Sequence, residues 1–229
     1  MSSITSYLVD LGRTDYAAAH QFQLDCVRWR LEDKHRHDVF LVTEHSPVFT
    51  LGSRGGRQSL MVSEDHVRAE GVAIVQTERG GDITYHGPGQ VVVYPIIHLR
   101  SSRLSVREYV HMLEQVMIDV AASYSIAAGR DERNRGIWVG NSKIGSIGIR
   151  VRHGVTFHGL ALNANLDFTH FNWIQPCGLA GVGVTSLERE TGAAIDFADA
   201  KQRMARCLGD VFHREFSAAV PSNFSGVFP

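Results

Sequence analysis

Three cysteines occur in the 229-residue chain, and one of them stands apart by its setting. Cys177 lies in Pro176-Cys177-Gly178. Proline fixes its own φ and brings no N–H, and glycine opens backbone conformations closed to other residues, so this tripeptide suits neither a helix interior nor a regular strand. A thiol on such a turn is placed for access. Cys26 shares its spacing with Ala18, Phe22 and Trp29, and Cys207 with Ala200, Met204 and Val211, each set tracing one face of a helix. Those two read as small core hydrophobes. Spacing alone leaves Cys177 open between a reactive thiol and an incidental one, because a lone cysteine takes its meaning from partners.

Lys143 is a second unusual residue. Through 143–151 the odd positions are Lys143, Gly145, Ile147, Ile149 and Val151, so regular strand alternation predicts the ammonium on the same face as three β-branched side chains. An unpaired ammonium on an apolar face is costly. Either it snorkels from the strand end into water, or it is partly desolvated, gives up its proton more readily and acts as a base. Gly145, Gly148 and Gly159 sit where strand side chains would pack. Glycine there marks close approach of a ligand or of another backbone, with bulges and tight sheet packing as the ordinary alternative.

A third cluster runs from Arg79 to Gln90 (RGGDITYHGPGQ) and leads into the apolar run Val91-Val92-Val93-Tyr94. Its glycines and proline shape a loop that also carries Arg, Asp, Thr, Tyr and His, a mixture suited to backbone amides facing a ligand with polar groups at the rim. It lacks Gly-Lys-Ser/Thr and precedes a strand rather than a helix, which excludes both the Walker A loop and the dinucleotide fingerprint.

Two helix starts are marked by caps. Ser105 and Glu108 form a capping box ahead of Val106, Val110, Leu113, Val116, Met117 and Val120, predicting a helix to about 124. Asp196 opens another to about 216, with Phe197, Ala200, Met204, Leu208, Val211 and Phe212 inward, and a third spans about 16–31. Strands are expected over 7–9, 39–43, 48–51, 73–76, 91–97, 136–139, 143–152 and 155–163, the last three joined by the hairpin links Asn141-Ser142 and His153-Gly154. Hairpins without strict strand–helix alternation predict an α+β fold with a mixed, largely antiparallel sheet packed by helices. No linker divides the chain, so residues 1–229 read as a single domain, with room for a small C-terminal lobe.

The formal net charge of −1 gives no support to nucleic-acid binding. No segment reads as a signal peptide or membrane span, and three cysteines make no disulfide framework, which together predict the reducing cytoplasm. His35-Arg36-His37 reads as a solvated loop, and the 12 histidines show no zinc-like spacing, so no metal is expected. Arg130, Arg133, Arg135, Arg150 and Arg152 form a local basic group that suits an acidic carrier or a solvated strand edge.

In this order, the loop from Arg79, Lys143 with Ile147-Gly148, then His158-Gly159-Leu160-Ala161-Leu162-Asn163 and Pro176-Cys177-Gly178 closely resemble the lipoyl(octanoyl) transferases. The resemblance runs from about 47 to about 187 and is densest over 79–86, 143–152, 157–163 and 175–178. It implies the α+β fold of the biotin and lipoate protein ligases. It also implies transfer of an octanoyl group from acyl carrier protein to the lysine of lipoyl domains, those of 2-oxoacid dehydrogenase complexes and of the glycine cleavage H protein. By the same match Cys177 carries the acyl group as a thioester and Lys143 is its partner. Substrate binding falls on Arg79, Gly80, Gly81, Asp82, Ile83, Thr84, Tyr85, His86, Ser146, Ile147, Gly148, Gly159, Leu160 and Ala161, with no cofactor. Asn163 and Asp167 either contact the acceptor lysine or fix the loop leading to Cys177 by turn hydrogen bonds, and the structural role is the reading favoured. Two departures, Arg135 before Gly136 and Ala164 after Asn163, leave this chemistry intact. Two other functions fit parts of the pattern: an ATP-dependent lipoate or biotin ligase, which would not need Cys177, and a carrier-binding module without catalysis.

Overall fold

The computed structural model describes residues 4–32, 37–175 and 181–224. Along them run β1 (Ile4–Thr14), α1 (Tyr16–Leu31), β2 (Val39–His45), β3 (Val48–Leu51), α2 (Glu64–Ala69), β4 (Ala73–Gln76), β5 (Thr84–His86) and β6 (Gln90–Ile96). There follow α3 (Val106–Ala122), β7 (Gly136–Val139), β8 (Ser142–Arg152), β9 (Val155–Asn163), β10 (Gly183–Val184), α4 (Leu187–Thr191), α5 (Phe197–Phe212) and β11 (Arg214–Ala218). A mixed eight-stranded sheet has the order β10-β8-β9-β6-β2-β1-β11, with β7 also paired to β8, and β4-β3-β5 form a smaller sheet.

The apolar runs of the central strands are continuous because both faces of the large sheet are covered. Phe40, Val42, Val91 and Val93 join the core cluster that holds α3 and α5 residues, whereas Val39, Leu41, Val92, Tyr94 and Ile96 join the one that holds α1 residues. A third cluster unites Phe49, Leu51, Tyr85, Phe168 and Phe171 around the small sheet. The β8–β9 turn places His153 and Gly154 at φ 49° and 85°, the paired left-handed residues that match the twist of a tight hairpin.

The capping box of α3 is present, with Ser105 accepting from the Glu108 amide and Glu108 from the Ser105 amide. Val106 is exposed rather than inward, and Tyr109 fills the buried position. In α1 the buried face runs through Tyr16, Ala19, Gln23, Cys26 and Arg30, so Ala18 faces solvent. The helix expected to reach 216 stops at Phe212. His213 turns left-handed at φ 52°, and the next five residues form β11, parallel to β1. A buried ion set holds that ending: Arg30 Nε donates to Asp38 Oδ1 at 2.9 Å and Arg214 Nη2 to Asp38 Oδ2 at 3.0 Å. No helix among the described residues is long and apolar enough to cross a membrane.

Candidate active site

A cleft opens on the α1 face of the large sheet, over the middle of β6, β9 and β8. Tyr16, Val92, Tyr94, His158, Ala161 and Lys143 line it, and the segment 79–84 with His86 closes it from above. Of the predicted binding residues Arg79, Gly80, Gly81, Asp82, Ile83, Thr84, His86, Ser146, Ile147, Gly148, Gly159, Leu160 and Ala161 all reach this cleft. Tyr85 does not. Residues 84–86 form β5, antiparallel to β3, so alternation turns Tyr85 into the small-sheet core, where its ring meets Phe49 and its hydroxyl lies 3.0 Å from His170 Nδ1.

Lys143 reaches the cleft by a route that regular alternation does not predict. In the β7–β8 pairing Ile137 opposes Gly145 but Trp138 opposes Lys143, leaving Ile144 as an extra residue. Such a bulge reverses the alternation on one side of itself. Ile144 packs with α3 in the core, joined by Ile147 and Ile149. Lys143 therefore shares the cleft with Ser146 and Gly148 rather than the apolar face with Ile147. Its side chain is 6% exposed, with Nζ donating to Asn134 Oδ1 at 3.3 Å and lying 5.4 Å from the Trp138 ring. Gly136 makes this path possible, because a Cβ there would come 2.8 Å from Lys143 Cε.

The glycine-rich loop rides on the end of β3. Gly52, Ser53 and Arg54 amides donate to the carbonyls of Asp82, Arg79 and Gly81. Close approach demands glycine here, since a Cβ on Gly52 would lie 2.3 Å from the Gly81 carbonyl oxygen. The Gly80 amide, expected to face a ligand, donates instead to the Ile149 carbonyl at 3.0 Å. Arg79 is buried, and its guanidinium donates to the Thr50 hydroxyl and carbonyl and to the Gly80 carbonyl. Asp82 Oδ2 accepts from Ser59 at 2.7 Å.

Histidines and tyrosines furnish the rest of the wall. His45 donates from Nδ1 to the Thr14 carbonyl, so its Nε2 accepts from the Tyr94 hydroxyl at 2.6 Å. His86 Nδ1 lies 2.6 Å from Gln90 Oε1, and Gln90 Nε2 donates to Asn163 Oδ1. Burial, followed by the neighbouring His45, pushes the His86 imidazole down to about 3, and burial also lowers His45 and His158. These side chains are thus neutral at physiological pH and offer lone pairs rather than charge. Asn163 Nδ2 continues to the Thr185 carbonyl, and Asp167 caps Thr169, the structural roles expected of both. Tyr16, Tyr94, Asn134 and His158 were not singled out from the sequence as wall residues. Their signal was a polar group inside an apolar run, as in Val93-Tyr94-Pro95 and Phe157-His158.

Two expectations change further. Gly159 does not leave acyl space: a Cβ there would lie 2.1 Å from the Val93 carbonyl oxygen, so it serves strand approach, whereas one on Gly148 would meet Arg79 Cδ at 3.0 Å. The arginine group is largely paired, Arg130 with Glu114, Arg133 with Asp131 and Arg152 with Glu78. His20, Glu78 and His158, far apart in sequence, converge beside the cleft as groups able to hold a metal ion, which histidine spacing did not reveal. Cys177 with its neighbours Pro176 and Gly178, and His35-Arg36, lie outside the described residues. The flanks of 176–180 are described. The Gln175 amide donates to the Ser59 carbonyl at 2.8 Å, Gly181 accepts from Asn141 Nδ2 at 2.7 Å, and Val184 pairs with Lys143.

With this fold and cleft, residues 15–209 match the lipoyl protein ligase A/B catalytic domain. The chain belongs to that family. Over 209 residues it is 51% identical to an octanoyltransferase of Desulfotalea psychrophila, covering 90% of this chain and 94% of that protein. It is 42% identical over 211 residues to the octanoyltransferase of Syntrophobacter fumaroxidans, covering 92% of each. An archaeal lipoate protein ligase from Thermoplasma acidophilum superposes with a TM-score of 0.77 at 12% identity, over 97% of this chain and 91% of the other. A biotin protein ligase of Aquifex aeolicus gives 0.54 at 9% identity, over 90% and 70%. These two likenesses extend the fold, α+β with a mixed sheet, across the ligases.

Proposed function

We propose that the chain is an octanoyltransferase of protein lipoylation that takes the acyl group from acyl carrier protein and passes it, through a thioester on Cys177, to the lysine of a lipoyl domain. The observation that carries the mechanism is the pairing of β10 with β8 at Lys143. Cys177 lies in sequence between Gln175, tied to the cleft loop through Ser59 and Asp82, and Gly181, whose carbonyl accepts from Asn141. Chain geometry limits Cys177 to about 7 Å from Gln175 and about 14 Å from Gly181, Cα to Cα. One anchor connects through Ser59 to Asp82 of the cleft and the other leads directly into the pairing of Val184 with Lys143, which favours a Cys177–Lys143 pair.

The chemistry runs in two balanced steps. The Cys177 thiolate attacks the donor thioester carbonyl, the bond from acyl carbon to carrier sulfur breaks, and the carrier thiol leaves with a proton. The acceptor lysine amine, once deprotonated, attacks the Cys177 thioester, an amide forms and the Cys177 thiolate returns. Lys143 takes the proton from Cys177 in the first step and from the incoming amine in the second. Exchange between thioesters is nearly balanced and amide formation runs downhill, so neither step calls for ATP. The α1-face residues Val92, Tyr94 and Ala161 line the cleft, and each methylene buried there gains about 0.8 kcal/mol. Donor and acceptor in acyl carrier protein and lipoyl domains, and a cytoplasmic setting that keeps Cys177 reduced, belong to the same reading.

The test is incubation with octanoyl-acyl carrier protein without ATP, read by intact-protein mass spectrometry. One octanoyl group on the wild type, on Cys177 by peptide mapping, is the expected result, with none on Cys177→Ala. Transfer that needs free acid and ATP would make the chain a ligase. Binding of the carrier without acylation would make it a carrier-binding module.

A further inference from the structure

Beside the acyl cleft three side chains from distant parts of the chain converge on one point. His20 comes from α1, Glu78 from the segment between β4 and β5, and His158 from β9. Nε2 of His20 lies 3.2 Å from Glu78 Oε2, Nε2 of His158 lies 3.6 Å from the same oxygen, and all three atoms fall within 4.8 Å of one another. Tetrahedral zinc with bonds of about 2.0–2.1 Å sets its ligand atoms about 3.3–3.4 Å apart. Small side-chain adjustments bring the three into that range.

Nε2 of His20 and Nε2 of His158 are shut off from solvent without a formed hydrogen bond, and each faces Glu78 Oε2 as an ionic neighbour. Orphaned buried polar atoms are uncommon and call for a reason. His158 is only 2% exposed, and its ring stacks on that of His20 with 13° between planes. Its Nδ1 lies 3.4 Å from the Tyr16 hydroxyl, and donation of Nδ1–H to that oxygen is the outer contact that would leave the Nε2 lone pair facing a metal. Arg152 lies 3.6 Å from the other carboxylate oxygen, Oε1, and is half exposed. It leaves Oε2 open.

We propose that His20, Glu78 and His158 form a site for a divalent transition metal of the zinc class, joining α1, β9 and the segment that enters the cleft loop. Two imidazole nitrogens and one carboxylate oxygen are the donor types zinc accepts, and three protein ligands leave a fourth position for water or another donor. Metal there pins Glu78, the residue before Arg79, to two elements of the α1 face.

The experiment titrates chelator-stripped full-length protein with zinc chloride by calorimetry and follows thermal unfolding with and without zinc. One zinc per chain and a zinc-dependent rise in the unfolding midpoint are expected. Affinity should fall more than about tenfold in His20→Ala and in Glu78→Gln, while Cys177→Ala binds as the wild type does. Unchanged affinity in His20→Ala and Glu78→Gln overturns the proposal, as does loss of binding in Cys177→Ala or the absence of any zinc-dependent rise. Should either ligand variant fail to fold, cobalt bound to the wild type decides. Four-coordinate visible bands without thiolate charge transfer support the site, and thiolate charge-transfer bands or an octahedral spectrum overturn it.

Discussion

Lys143 enters the cleft because Ile144 is surplus in the β7–β8 pairing. One extra residue moves an ammonium from the α3 side of the sheet to the side on which acyl transfer is proposed. Gly136, at φ 126°, leaves room for the lysine stem. The role assigned to Lys143 requires it to lose and regain a proton, so Lys143→Arg, which retains charge but gives up no proton at neutral pH, should still fail. Turnover is expected to fall by about 10²–10⁴ in Lys143→Arg, the range of a lost general base, and at least as far in Lys143→Ala. The pH dependence of Cys177 alkylation should shift upward in Lys143→Ala and less in Lys143→Arg. Turnover and alkylation profiles matching the wild type in both variants would show that Lys143 merely snorkels.

At the level of strands, two glycines that face each other across β8 and β9 have different tasks. Gly148 and Gly159 are register partners, yet a Cβ on Gly148 would meet Arg79 Cδ at 3.0 Å and the Gly80 carbonyl oxygen at 3.2 Å, whereas one on Gly159 would meet the Val93 carbonyl oxygen at 2.1 Å. A shift of a few tenths of an ångström relieves the first, and only parting two central strands relieves the second. Gly159→Ala should therefore destabilise the fold by about 3 kcal/mol, at the upper end of what overpacking costs. Gly148→Ala should cost under about 1 kcal/mol in stability while slowing octanoyl loading through Arg79. Urea denaturation of both variants beside the acylation assay separates them. Equal stability of the two would show that the Val93 strand yields, contrary to its place in mid-sheet.

For the molecule as a whole, the buried neutral histidines predict how stability responds to acid. The folded state holds His86 at about 3 and lowers His45, whereas an unfolded histidine titrates near about 6.5. The unfolded chain thus binds more protons between those values. The stability these histidines contribute is fully present above about pH 6.5 and is lost as pH falls toward 3, with a slope of up to about 1.4 kcal/mol per pH unit for each. Denaturant unfolding at about pH 8, 6.5 and 5, with chelator present, should show little change over the first interval and a clear loss over the second. His86→Gln should reduce the loss. A flat profile down to pH 5 would mean that water reaches His86 and keeps it ordinary.

Much of the architecture was legible in residue order. Caps at Ser105 and Asp196, hairpin links at Asn141-Ser142 and His153-Gly154, and apolar runs of strand length act within a few residues of themselves, so α3, the start of α5 and the β7–β8–β9 meander could be read directly. The line of motifs from Arg79 to Cys177 likewise pointed to the family, and all the predicted binding residues except Tyr85 meet in one cleft. What the chain order hid depends on partners far away. The bulge at Ile144 exists only in the pairing with β7, and it decides which face Lys143 shows. The ending of α5 depends on Arg214 finding Asp38, and β11 depends on the free edge of β1. His20, Glu78 and His158 are separated by tens of positions and carry no motif; packing α1 across β9 brings them within reach. Local propensity acts through neighbours in the chain, whereas charge pairing, register and metal-ligand geometry act through space, and only the folded sheet supplies the distances on which they depend.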